Sequence, residues 1–179
     1  MRIEVLKSEI KTRGGFIIPQ VTDGFEQFPY QIITGGGIKL LEILKNLKEL
    51  NGEENSYVDF YYELLSSSDQ ERVRENLTKE GKLLLERFLS EGKEKLRNQA
   101  VENQSQENQD SVYFQLTDDM LLLSAELSGT ESLFSTFYFC KYPMIVWSNY
   151  EHRHPVFYQD EQTMKSLQKL GFVFDKETY

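Results

Sequence analysis

A single cysteine, Cys140, among 179 residues leaves no intramolecular disulfide, so stability must come from packing alone. Tryptophan is equally scarce, with Trp147 alone, and the histidines number two, His152 and His154. A structural zinc site takes four protein ligands, and one thiol with two imidazoles falls short of it. Long apolar runs are missing too, and none approaches the length of a membrane span. The opening MRIEVLKSEIK alternates like a strand and lacks the basic-then-apolar order of a leader peptide. These absences lead to an expectation of a cytoplasmic chain with no membrane contact.

Positive charge is thin in the second half. The net charge is −9, of which residues 1–97 carry −2 and residues 98–179 carry −7. A nucleic-acid binder needs a basic footprint to displace phosphate counterions, so direct nucleic-acid binding is disfavoured. An acidic surface suits a basic protein partner, because complementary charge speeds encounter.

Aromatic residues are plentiful, at 13% of the chain. They concentrate between Leu133 and Tyr158, which also holds the cysteine, the tryptophan and both histidines. Leu133–Cys140 and Pro143–Ser148 read as strands joined at Lys141-Tyr142, the first covered on both faces and burying Cys140 as an inert thiol. Ser148–Pro155 (SNYEHRHP) has loop chemistry. Trp, Tyr and Arg dominate binding hot spots, so Tyr142, Trp147, Tyr150, Arg153 and Tyr158 are the candidate partner-binding residues. A seam between copies of the chain would use the same side chains, so an oligomer is compatible with this composition.

Two further constellations carry chemistry. In an extended segment His152 and His154 would project to one face, about 6–7 Å apart, within reach of a metal or of a general-base role. Glu151, Asp160 or Glu161 would then supply an oxygen ligand. Gly35-Gly36-Gly37 leads into an apolar stripe of helical period, Ile38, Leu41, Leu44 and Leu47, ending at Asn51-Gly52. Such a turn places backbone N–H groups where a phosphate could sit. It resembles the phosphate-binding loop of macrodomains, but that family's asparagine-rich lead-in is missing, as are the Lys-Ser/Thr pair of a P-loop and the spacing of a dinucleotide fingerprint. No cofactor and no metal are expected, and a non-catalytic chain is preferred to an enzyme.

The remaining stretches set the fold class. Arg2–Lys11, Gly15–Val21 and Phe25–Thr34 read as a strand meander, and Tyr57–Leu65 as a helical turn. Ser68-Asp69-Gln70-Glu71 reads as a capping box opening a helix that breaks near Lys79–Gly81. Residues 98–110, with seven Asn or Gln, read as a polar linker between an N-terminal part, 1–97, and an aromatic acidic part, 111–179, within one compact domain. Thr117 is placed as the N-cap of a buried helix over Met120–Leu127, and Gln159–Lys169 as the last helix. The class is α+β: an antiparallel sheet from both ends of the chain, packed with charged amphipathic helices. The leading functional expectation is an acidic, aromatic-faced module that binds a macromolecule and inhibits or stabilises it, in the manner of immunity proteins, antitoxins or phage-encoded inhibitors. The alternative is a small enzyme or ligand-binding protein using Gly35–Gly37 or His152 and His154.

Overall fold

The computed structural model describes residues 1–102 and 112–172. It opens on two short helices, α1 (Lys7–Thr12) and α2 (Val21–Gln27), where a strand meander was expected. The alternation of Ile3 and Val5 extends only as far as a bridge between Glu4 and Phe114. From Lys7 the chain turns helical so that Ile10 can bury beside Cys140. Only the end of the expected third strand survives, as β1 (Tyr30–Thr34).

Helix α3 (Gly37–Asn51) follows the glycines as expected, burying Leu40, Leu44 and Leu47. Gly52, at φ +84°, stops it by donating its N–H to the Lys48 carbonyl. Strand β2 (Ser56–Asp59) replaces the expected helical turn. Its composition allows either state, and burial on both faces decides for the strand. Helix α4 (Ser67–Glu75) is capped by Ser66, two residues ahead of the expected Ser68, with the Ser66 hydroxyl accepting from the Asp69 N–H. Helix α5 (Lys79–Glu102) begins at the expected break and runs into the stretch read as a linker, and residues 103–110 of that linker lie outside the described residues.

The C-terminal part follows the expected order, except that the last strand begins at Arg153, inside the stretch Ser148–Pro155 read as a loop, because Arg153, His154 and Pro155 lie opposite Thr34, Ile33 and Ile32. Strand β3 (Tyr113–Gln115) enters α6 (Asp118–Gly129), where Thr117 accepts from the Met120 N–H. Strands β4 (Thr136–Phe139), β5 (Met144–Trp147) and β6 (Arg153–Tyr158) precede α7 (Glu161–Lys169). Asp160, considered above as a metal ligand, caps α7 by accepting from the Thr163 N–H at 2.7 Å.

The six strands form one antiparallel sheet in the order β1-β6-β5-β4-β2-β3. Strand β2, from before the polar stretch, lies between β3 and β4 from after it. Alternation then splits the strand residues between two apolar layers. Val58, Phe137, Phe139, Met144, Val146, Val156 and Tyr158 face α3, α5 and α6. Tyr57, Tyr138, Ile145 and Phe157 face the other way, onto Ile10, Ile18 and Val21 from the N-terminal segment. Each large side chain buried in these layers is worth roughly 1.5–3 kcal/mol. Among the described residues no helix is long and apolar enough to cross a membrane.

Candidate functional site

Three turns meet at the end of the sheet where β1 finishes and β6 begins. The first is Gly35-Gly36-Gly37, with Gly35 at φ +140° and Gly37 at φ +47°. The second joins α6 to β4 and holds Glu131, and the third, 149–152, joins β5 to β6. Gly36 lies so close to the His152 ring that a Cβ there would stand 2.7 Å from Cε1 and Nδ1. Gly129 makes the same approach to the Gly37 backbone N, at 2.7 Å. A side chain at Gly129 would meet the Gly37 backbone and force the turns apart, whereas one at Gly36 would press on the His152 ring.

Backbone bonds and one imidazole hold the turns together. The Gly35 N–H donates to the His152 carbonyl at 3.0 Å. His154, fully buried, accepts the Asn149 N–H at Nδ1 over 3.2 Å. That contact assigns the ring hydrogen to Nε2, which donates to the Gly35 carbonyl at 3.1 Å. Burial, and the nearby His152, hold the His154 pKa below its ordinary value, outweighing the opposite pull of the Gly35 carbonyl and Glu131. Glu131 completes the set, its Oε1 accepting the His152 N–H at 3.3 Å and lying 3.6 Å from His152 Nδ1.

Strain gathers at the same place. The non-glycine residues with φ in the left-handed region among those described are Glu131 (+55°), Glu151 (+58°) and His152 (+53°). Such residues persist only where their surroundings over-determine them. Outside this frame stand two exposed apolar side chains, Ile38 at 77% and Tyr150 at 64% exposure. Tyr150 meets the Phe134 ring edge-on at 4.6 Å between centroids.

The structure separates the expected partner-binding residues. Tyr142 lies in the β4–β5 turn, at the other end of β5 from Tyr150, and its N–H donates to the Asn51 side chain at 2.9 Å. Trp147 is half-buried against the second apolar layer, and Arg153 is half-buried at the start of β6. Tyr158 is 1% exposed and its hydroxyl donates to Gln31, so it serves the core and offers nothing to a partner. The two histidines part as well, because His152 sits in the left-handed turn and His154 in the sheet. With both His154 nitrogens occupied by backbone, His154 has neither a free lone pair for a metal nor a free base for catalysis. Among the described residues no three His, Cys, Asp or Glu side chains gather as a metal ion requires. Cys140 is buried, and burial pushes its thiol up to about 11.

On the opposite face of the same sheet end lies a carboxylate that residue patterns did not single out. Asp59, 3% exposed, accepts the Thr136 N–H at 2.6 Å and the Tyr138 hydroxyl at 3.0 Å. Desolvation pushes its pKa up to about 6 despite those bonds and a further one from Tyr61. A lone carboxylate inside the apolar run YVDFYY was the available signal. Phe134, Glu131 and Ile38 give none, and Ile38 falls in period with the apolar stripe of α3. A cavity of about 490 Å³ between α3 and α6 is lined by Lys45, Lys48, Glu53, Asp118 and Leu121 among others. Lys48 is already held there by Glu53 at 2.8 Å and Asp118 at 2.5 Å. Compared with known protein families, curated proteins and solved structures, the chain finds no match.

Proposed function

We propose that this chain is a non-catalytic protein-binding module, and that its contact surface is the cluster of turns carrying Ile38, Phe134, Tyr150, Glu131 and Glu151. One observation carries the reading. The turns are tied to one another by backbone bonds and by both nitrogens of the buried His154, while the apolar side chains they hold out, Tyr150 and Ile38, stay exposed. A rigid frame presenting an exposed tyrosine loses little conformational entropy on binding, which is what a recognition surface needs. Glu131 and Glu151 beside it, with a net charge of −9, favour a partner with a basic face, which the module would inhibit or stabilise.

The test is capture of partners from the native host by wild type and by an Ile38→Ala, Tyr150→Ala double variant, followed by titration with the purified partner. Loss of a central aromatic anchor weakens binding by roughly 30-fold or more. The association rate with wild type should fall as salt rises. Recovery of the same partners with equal affinity by both proteins would sink the proposal.

A further inference from the structure

The two edges of the sheet are finished differently. At β3 the N-terminal segment lies alongside, with the Val5 N–H donating to the Tyr113 carbonyl at 3.0 Å and the Gln115 N–H to the Ile3 carbonyl at 2.8 Å. At β1 the only strand partner among the described residues is β6. The Tyr158 N–H donates to the Pro29 carbonyl, and the Gly35 N–H to the His152 carbonyl, so odd-numbered residues of this segment turn their backbone toward β6. By alternation Tyr30, Ile32 and Thr34 turn theirs outward, onto an edge that no strand covers among the described residues.

We infer that β1 is the seat of a symmetric dimer, in which the β1 strands of two copies pair antiparallel about a two-fold axis through Ile32. The register is self-complementary. Ile32 faces its own copy and Tyr30 faces Thr34 of the other, so the outward N–H and C=O groups of all three residues pair, with about six hydrogen bonds across the axis. The side chains match as well. Tyr30, Ile32 and Thr34 share one face, which places isoleucine beside isoleucine and an aromatic beside a β-branched residue, both favourable cross-strand pairs. Protective devices are missing from YQIIT, which contains no lysine, proline or glycine and no charge of either sign. The segment therefore neither repels a second copy nor attracts a charged stranger. This inference stands apart from the contact surface at Tyr150, which the axis does not use.

Light scattering and sedimentation on the purified full chain, over about a hundred-fold range of concentration, test it. The expected wild-type species has twice the mass of the 21.0 kDa chain. Raising salt from about 0.05 to about 0.5 M should strengthen the dimer, because it screens the repulsion of two copies each carrying −9. Ile32→Pro removes an outward N–H and leaves the bonds to β6 in place, so it should be monomeric with an unchanged circular dichroism spectrum. Ile32→Lys should be monomeric too, and Tyr150→Ala should stay dimeric. A wild type that remains monomeric throughout overturns the inference, as does a dimer that survives both Ile32 variants.

Discussion

Asp59 and His154 are buried at the same end of one sheet, on opposite faces, and they are held in opposite ways. Asp59 collects donors around a carboxylate in a nearly dry site, and the loss of water outweighs them, so the fold favours the protonated form. His154 uses one nitrogen as donor and one as acceptor, an arrangement only the neutral ring can make. The first is a tie between strands β2 and β4. The second is a pin between turns, and removing it exposes what the candidate surface depends on.

The comparison breaks most visibly at His154. His154→Ala leaves the Asn149 N–H and the Gly35 carbonyl without partners and opens a cavity in a fully buried site. The expected loss, by urea unfolding at pH 7, is roughly 2–4 kcal/mol. His154→Gln, which can donate and accept, should recover part of it. Equal stability of wild type and the alanine variant would show that the turns hold without the pin.

Next in size is the pH dependence, where the two groups act with opposite sign. Asp59 has a folded pKa of about 6 against an ordinary 3.8, so its contribution is complete below pH 4 and is lost as pH rises to about 6. Two units correspond to roughly 3 kcal/mol across that window. His154 has a folded pKa below its ordinary value, so its contribution is present above pH 6.5 and is lost as pH falls through the folded value. Asp118 and Asp160, held below the usual carboxylate range by Lys48 and by the Thr163 N–H, add losses at still lower pH. Because the two contributions oppose each other in overlapping windows, unfolding curves between pH 4 and 8 should show stability rising more steeply from pH 4 to 6 in Asp59→Asn than in wild type. An unchanged slope in that variant would assign the dependence to other groups.

Which parts of this were legible in sequence follows from the range of the interactions involved. Helix α3, the cap at Thr117, and the strands β4 and β5, the first of them read as covered on both faces, are written in local spacing and composition, whereas Asp160 reads as a metal ligand and is a helix cap. The cap at Ser66 was hidden by degeneracy, since Ser66, Ser67 and Ser68 offer the same hydroxyl in a row. Strand β2 and helix α1 were misread because their state is set by neighbours far along the chain, Phe137–Phe139 for one and Cys140 for the other. The site shows the same division. Tyr150 stood out by residue type and loop context, whereas the approach of Gly36 to His152 and the saturation of His154 by Asn149 and Gly35 are long-range or backbone facts with no residue-type signature.

A smaller effect separates close packing from conformational strain. Gly36 has φ −88°, which any residue adopts, so Gly36→Ala tests only the contact with the His152 ring. That ring is partly exposed and can move aside, so the cost should be about 1 kcal/mol. Gly35→Ala, at φ +140°, should cost more than this because an L side chain is strained there whatever the space. If the two variants are equally stable, φ at Gly35 is not what the turn depends on.

The smallest expected change is also the one that joins stability to binding. Tyr150 is 64% exposed and touches Phe134 edge-on, an aromatic contact worth about 0.5–1 kcal/mol in a buried setting and less at an open surface. Tyr150→Ala should therefore shift unfolding by no more than about 0.5 kcal/mol, with the pH profile of wild type retained. His154→Ala, by contrast, disturbs the frame itself and should weaken partner binding without touching a contact residue. A tyrosine whose removal destabilises the fold as much as the loss of His154 would belong to the frame, and the distinction between pinned turns and the side chains they present would not hold.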